Sequence, residues 1–282
     1  MPVSPTLLEI ASKLAKNPSS SPHLEARIIL AFILKCQIND LFLKPRIALN
    51  LIQKAKLRHL LNQRVKGVPL AYLIKKREFF NESFYINKNV LDPRADSESL
   101  VELVVANEDN NSIKKVLEIG VGSGCLIISI LKRKSNWLGV GVDICSKALK
   151  VAKINRKIFG LNSKLKLLKS NLFNKIPAQH FDIIISNPPY IPTKHIAKLQ
   201  NEVAIFEPKK ALDGGEDGMN FYRSIAKNCA MFLKKTGSIY LEIGENQSVN
   251  VIEIFEKENF VLTSKKKDLA GIIRVLHFKR NL

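Results

Sequence analysis

Apolar positions in the first quarter of the chain recur every three to four residues: in Leu7-Leu8-Ile10-Ala11-Leu14, in Ala26-Ile29-Leu30-Ile33-Leu34 and in Leu51-Ile52-Ala55-Leu57-Leu60-Leu61. That spacing follows the α-helical turn, so residues 6–67 read as a small helical bundle. Ser19-Ser20-Ser21-Pro22 reads as a turn, and a serine before Pro22 makes a helix start, because proline at the first helical position loses no hydrogen bond. After residue 68 the pattern changes. Phe79-Phe80-Asn81-Glu82-Ser83-Phe84-Tyr85-Ile86 sets strand formers around a polar turn, which predicts a short hairpin joining two domains. Val90-Leu91-Asp92-Pro93-Arg94 then leads into a helix through Ser97–Glu102. From about residue 113 short apolar runs alternate with helical stretches, the pattern of an α/β fold with a doubly wound parallel sheet. Strands are expected at 116–119, 138–142, 164–169, 181–185 and 238–243, with two more at 260–262 and 272–278. Lys265-Lys266-Lys267 reads as a solvated turn. The division that follows is 1–75 helical, 76–94 a hairpin linker and 95–282 a catalytic domain.

The chemistry collects at the carboxyl ends of the expected strands, where open α/β sheets bind their ligands. Phe181-Asp182-Ile183-Ile184-Ile185 reads as a strand buried on both faces. Ser186-Asn187-Pro188-Pro189-Tyr190 follows, and its prolines stop the ladder because they have no amide hydrogen. The loop offers an Asn amide, a main-chain carbonyl and an aromatic ring, groups suited to a planar substrate bearing an NH2. Earlier in the chain, Gly120-Val121-Gly122-Ser123-Gly124 lies between a strand and a helix that begins near Cys125. Glycines there let the backbone approach a ligand closely. The spacing is G-x-G-x-G and not G-x-G-x-x-G, which disfavours a dinucleotide. Asp143 ends the next strand about twenty residues on, placed to accept hydrogen bonds from ribose hydroxyls. Together, the turn, Asp143 and the strand-four loop point to S-adenosylmethionine.

Composition changes this picture little. The chain has 282 residues, 46% of them hydrophobic and 25% charged, which is ordinary for a globular protein. Met1-Pro2-Val3-Ser4-Pro5 has no basic region followed by an apolar core, so no secretory signal is read. Cys36, Cys125, Cys145 and Cys229 are scattered without metal-ligand spacing, so no metal is expected, and they read as reduced thiols in the cytoplasm. The net charge of +20 is compatible with nucleic acid, but the lysines are spread along the chain with abundant Ile and Asn, so direct nucleic-acid binding is possible without being favoured.

The Asn187–Tyr190 loop resembles that of methyltransferases acting on planar nitrogens, in amides or in nucleobases. More specific are Arg64-x-x-Gly67-x-Pro69-x-Ala71-Tyr72, Glu78-Phe79, Val90-Leu91-x-Pro93-Arg94, Glu98, Glu207-Pro208-x-x-Ala211-Leu212-x-Gly214-Gly215-x-Asp217-Gly218 and Asp268-Leu269-Ala270-Gly271-x-x-Arg274-Val275. With the loop, these resemble the HemK/PrmC family, which methylates the glutamine of the Gly-Gly-Gln motif in peptide chain release factors. The resemblance implies a Rossmann-like class I S-adenosylmethionine-dependent methyltransferase, with an N-terminal helical module that docks the release factor. It implies that Gly120, Val121, Gly122, Ser123 and Gly124 line the methionine moiety, Asp143 the ribose, and Asn171 and Leu172 the adenine. Asn187, Pro188, Pro189 and Tyr190 would hold the glutamine and carry catalysis, with Asn187 also beside the cofactor. Departures fall at Glu118 and Asn171, where Asp is usual, at Leu172 in place of an aromatic, at Lys75 in place of glycine, and at Ala95 in place of proline. None touches the substrate loop. An exocyclic-amine methyltransferase acting on adenine or guanine in RNA or DNA remains the alternative. His195 is expected at the surface and Cys125 as a packed small residue. Glu207 and Asp217 are expected to order the segment covering the substrate. Arg94 is open between cofactor, docked protein and linker.

Overall fold

The computed structural model describes residues 6–17, 21–41, 48–109 and 112–281. Ser19 and Ser20 of the expected turn, and the first five residues, lie outside them. The chain forms two compact units, 1–76 with 199–206, and 77–198 with 207–282.

The first unit is helical: α1 (Leu7–Leu14), α2 (Pro22–Leu34), α3 (Leu51–Val65) and α4 (Leu70–Ile74). A capping box opens α1, in which Thr6 Oγ1 accepts from Glu9 N at 3.2 Å and the Glu9 carboxylate accepts from Thr6 N at 2.7 Å. Asn50 and Gln53 do the same for α3. The apolar stripes of the first two helices meet in a core of Ile10, Leu14, Ala26, Ile29 and Leu30, joined by Leu57, Leu60 and Leu61 of α3. Leu51 and Ile52 share the apolar run of α3, yet stand 80% and 81% exposed, because the buried face of that helix begins only at Leu57. Lys75, which stands where the resemblance expects glycine, closes α4 in the left-handed region at φ 57°. That is the conformation a glycine adopts there without a Cβ penalty. Buried in this unit is Arg64, 2% exposed, whose Nε and Nη2 each donate to Glu25 at 2.8 Å. Its Nη1 donates to Glu202 at 2.8 Å, in the short helix that residues 199–206 bring back from much later in the chain.

The second unit begins with the hairpin of β1 (Arg77–Phe79) and β2 (Glu82–Phe84), turned by Phe80 and Asn81 at φ 51° and 60°. Two left-handed residues match the twist of a tight hairpin. Then follow α5 (Glu98–Asn107), β3 (Lys115–Ile119), α6 (Cys125–Arg133), β4 (Leu138–Asp143), α7 (Ser146–Ile158), β5 (Leu165–Lys169) and β6 (Phe181–Ser186). After α8 (Asn201–Phe206), the return helix of the first unit, come α9 (Asn220–Cys229), β7 (Leu233–Glu242), α10 (Ser248–Glu256), β8 (Phe260–Lys267) and β9 (Ile273–Arg280). The seven-stranded order is β5-β4-β3-β6-β7-β9-β8. The sheet order turns back between β3 and β6, and a crevice opens at their carboxyl ends.

Two expectations are corrected. The sheet is parallel from β5 through β7 only; β9 runs antiparallel to β7, and β8 antiparallel to β9. Lys265, Lys266 and Lys267 are not a solvated turn. They lie in β8, paired with Leu276, Val275 and Ile273 of β9. β8 is the edge of the sheet, where lysines are compatible with a ladder and discourage further pairing. Alternation along β8 turns Lys265 and Lys267 outward and half-covers Lys266, which reaches Glu102 at 3.2 Å.

Candidate active site

The glycine-rich turn leaves β3 and is held to β4 by Gly120 N and Val121 N, both donating to Val142 O at 2.9 Å. Gly120, Gly122 and Gly124 all have positive φ, 75°, 52° and 82°. A Cβ on Gly120 would meet no atom within 4 Å, so the turn borders open space on that side. Asp143, at the end of β4, grips the same turn: its Oδ2 accepts from Gly122 N at 2.9 Å and its Oδ1 from Cys145 N at 2.8 Å. Burial pushes the Asp143 carboxyl up, and the two amide donors act against it. After β5, Ser170 donates to Leu172 O at 2.8 Å and accepts from Lys175 N at 3.0 Å, which holds Leu172 in a left-handed φ of 46°.

Gly124 opens α6 without a side-chain cap. Glu118 supplies one from the strand, its Oε2 accepting from Ile127 N at 3.1 Å. The extra methylene of Glu over Asp gives the side chain that reach. Glu118 is buried, and burial first, then the neighbouring Asp143, drives its carboxyl well above the usual range. Cys125 is pushed up to about 12 by burial and by Glu118, so no thiolate forms at the helix start.

These pieces enclose one cavity of ≈ 310 Å³, large enough for a small-molecule cofactor. Gly120, Val121, Gly122 and Ser123 form one wall; Asp143, Asn171 and Leu172 another. Asn187, Pro188 and Pro189 close one end, and the stretch after the hairpin contributes Val90, Leu91, Pro93 and Arg94. Two predicted site residues are absent from its walls. Gly124 packs against α6, with Ile128 Cδ1 3.1 Å from where a Cβ would sit. Tyr190 turns into the core, its Cδ2 2.9 Å from a Cβ placed on Gly244.

The loop after β6 is rigidly tied. Ser186 Oγ donates to Ile119 O at 2.8 Å, joining the ends of β6 and β3. Asn187 Nδ2 donates to Ser97 Oγ at 3.1 Å, so the NH2 end of the amide is engaged and Oδ1 is left to accept. Gln247 Nε2 donates to Tyr190 O at 2.8 Å. The 207–218 segment is sewn to the same loop through Ile191 N to Leu212 O (3.0 Å) and Gly214 N to Ile191 O (2.9 Å). Gly218 makes that closeness possible: a Cβ there would lie 2.4 Å from Tyr190 O. Glu207 is buried and pairs with Arg94 at 2.7 Å. Asp217 pairs with Arg223, which holds its carboxyl down at about 2. Both carboxylates are thus engaged in ion pairs. His195 is exposed.

Sequence reading missed three residues. Ser97 anchors Asn187. Glu242, 2% exposed at the end of β7, faces the same pair. Asn155 of α7, fully buried, accepts from Tyr85 N at 2.8 Å and donates to Tyr85 O at 2.9 Å and Ser123 O at 2.8 Å, so it fastens the stretch after the hairpin to the glycine turn. For Glu242 alone the sequence carried a signal, polarity inside the apolar run Ser238-Ile239-Tyr240-Leu241-Glu242-Ile243. Among the described residues, no His, Cys, Asp and Glu cluster could hold a metal ion, and no helix is long and apolar enough to cross a membrane.

Residues 6–74 match the PrmC N-terminal domain, and residues 92–219 the methyltransferase small domain. The release factor glutamine methyltransferase of Agrobacterium fabrum is 35% identical over 99% of this chain and 97% of its own. The bifunctional methyltransferase of Rickettsia felis is 36% identical over 96% of this chain, which spans 57% of that longer protein. Among solved structures, a methyltransferase from Pyrococcus furiosus superposes with a TM-score of 0.53 at 16% identity, covering 71% of this chain and 89% of its own, a likeness of fold.

Proposed function

The chain belongs to the family of release factor glutamine methyltransferases, and from that premise we propose that it methylates the side-chain amide nitrogen of the glutamine in the Gly-Gly-Gln motif of a peptide chain release factor, with S-adenosylmethionine as donor. The observation that carries this reading is the orientation of Asn187: Ser97 engages its NH2, which leaves a carbonyl oxygen facing the work of binding an NH2 group. A glutamine amide nitrogen is a poor nucleophile because its lone pair is delocalised into the carbonyl. Asn187 Oδ1 and the Pro188 carbonyl, accepting both NH2 hydrogens, draw that pair out of conjugation and fix its direction. Holding the reacting atoms in line then supplies much of the acceleration. Pro188 and Pro189 wall the planar amide and exclude water. Tyr190, partly buried, packs against the core, and its carbonyl accepts from Gln247.

The cavity fits the cofactor on the evidence of its own chemistry. The Asp143 carboxylate takes one amide donor on each oxygen and keeps lone pairs for ribose hydroxyls, and the space beside Gly120 admits a ligand against bare backbone. Gly120, Val121, Gly122 and Ser123 would hold the methionine portion, Asn171 and Leu172 the adenine, with Asn187 at the junction with substrate. Bound there, S-adenosylmethionine supplies a methyl group activated by a sulfonium, which is why no strong general base is needed. The helical residues 1–75 would dock the release factor, residues 76–94 link, and 95–282 catalyse. The setting is the cytoplasm, where free Cys36, Cys125, Cys145 and Cys229 stay reduced.

Cofactor with a labelled methyl group, offered separately to release factor, to release factor with the Gly-Gly-Gln glutamine replaced, and to RNA and DNA, tests the reading. Label is expected on the intact factor alone; label on nucleic acid would instead promote the exocyclic-amine chemistry, with its steep salt dependence. Asn187→Ala should abolish turnover and leave cofactor affinity nearly unchanged. A comparable loss of affinity would make Asn187 a cofactor ligand instead.

A further inference from the structure

Glu242 is an expensive residue to bury. It ends β7 one position after Leu241, which pairs with Ser186, and so sits beside the start of the Asn187 loop. It is 2% exposed, and its Oε2 has no hydrogen-bond partner among the described residues. A buried carboxyl with an unsatisfied oxygen is destabilising, and such groups concentrate at functional sites. Its surroundings come from five elements. The turn before α5 brings Asp96 and Ser97, and β9 brings Arg274. The substrate loop brings Asn187 and Tyr190, α9 brings Tyr222, and α6 begins with Cys125. Tyr190, Tyr222 and Cys125 are all pushed up and stay neutral. Arg274 is divided between Asp96 at 3.1 Å and Asp268 at 2.8 Å, so its charge is largely spoken for. Burial raises the Glu242 carboxyl to about 7, against the pull of Ser97, Arg274 and Asn187, while Asp96 adds to the rise.

We propose that Glu242 is a positioning residue for the methyl transfer, its carboxylate sitting behind the Ser97–Asn187 pair to fix and polarise the Asn187 amide. The inference rests on the reading of Asn187 as the group that holds substrate. A carboxylate at the NH2 end of an amide favours the resonance form with negative charge on oxygen. Oδ1 then becomes a stronger acceptor as positive charge develops on the glutamine nitrogen, when stabilisation counts most. A neutral Glu242 withdraws that help. Turnover therefore rises with pH as Glu242 loses its proton.

The Asn187 side-chain NH2 resonances of the full-length protein, followed by NMR from pH 5.5 to 8.5, test the coupling without any substrate. They are expected to shift with a midpoint near 7, and to stop shifting in Glu242→Gln. In methylation of release factor, Glu242→Gln should lower kcat at pH 8 by about tenfold or more, the scale of losing part of one oriented donor or acceptor. It should lose the acidic limb of the profile and keep the cofactor KM. Ser97→Ala should lower kcat yet retain that limb. An Asn187 resonance that does not titrate in the wild type overturns the proposal even if Glu242→Gln fails to fold. Turnover lost in Asn187→Ala but unchanged in Glu242→Gln overturns it alone. Normal turnover by Asn187→Ala overturns the substrate-holding reading, and this role with it.

Discussion

Replacing Asn155 with alanine tests whether the glycine turn and the stretch after the hairpin are one mechanical piece. The side chain is fully buried and satisfies three main-chain groups: the N–H and C=O of Tyr85, and the C=O of Ser123. Alanine leaves all three without their partner. Each orphaned group costs about 1–3 kcal/mol, and the small space opened lets water recover part of it. The expected net loss is about 3 kcal/mol, or about 1 M in urea midpoint for a slope near 3 kcal/mol per M. Function should follow, because Ser123 lines the cavity and Tyr85 lies five and six residues before Val90 and Leu91, which line it too. Freeing both walls should weaken cofactor binding about tenfold, equivalent to about 1.4 kcal/mol. Urea unfolding and calorimetric titration with S-adenosylmethionine measure the two effects independently. Asn155→Asp makes the sharper control: the shape is kept, but a carboxylate then faces two carbonyls that it cannot donate to, so it should be at least as damaging as alanine. An alanine variant whose midpoint moves by no more than ~0.2 M would refute the energetic reasoning. One that loses stability but binds cofactor normally would make Asn155 a fastener of the core with no part in the site.

Arg64→Met should cost the first unit about 3–5 kcal/mol, because it strands Glu25 in the core; adding Glu25→Leu should return most of that in a thermal melt followed by circular dichroism. Equal melting of the single and double variants would show that the ion pair is not what the arginine contributes. Glu242 also ties stability to pH. Its folded pKa, about 7, lies above the ordinary glutamate value of 4.5, so the native state holds the extra proton between those values and loses stability as pH rises through them. The full effect is about 3 kcal/mol in order of magnitude. Glu242→Gln should therefore flatten the decline between pH 5 and pH 8 in urea unfolding, and parallel slopes for wild type and variant would sink the assignment.

What the sequence disclosed, and what it hid, divides by how far apart the cooperating residues are. The glycine turn, Asp143 and the Asn187 loop were legible because each is a contiguous stretch at the end of an apolar run, and a parallel sheet carries such ends to one edge automatically. Lys265–Lys267 were misread for a physical reason: a lysine run reads as solvated, but an edge strand is solvated and paired at once. Leu51 and Ile52 misled in the opposite direction, since a period identifies a face without saying where along the helix its burial starts. Lys75 in a left-handed turn shows that an expected glycine can be replaced when its conformation is kept. The supporting residues were hidden altogether. Asn155 meets Tyr85 across 70 positions and Ser97 meets Asn187 across 90, and nothing local to a serine or an asparagine announces such a partner. Glu242 is the instructive case. In an alternating reading, a charged residue in an otherwise apolar strand belongs on the solvated face, yet β7 is flanked by β6 and β9, and both faces are covered from Ser238 to Glu242. Once the strand is known to be central, polarity no longer predicts exposure. It marks a group retained against its own desolvation, and the groups it faces are Ser97 and Asn187.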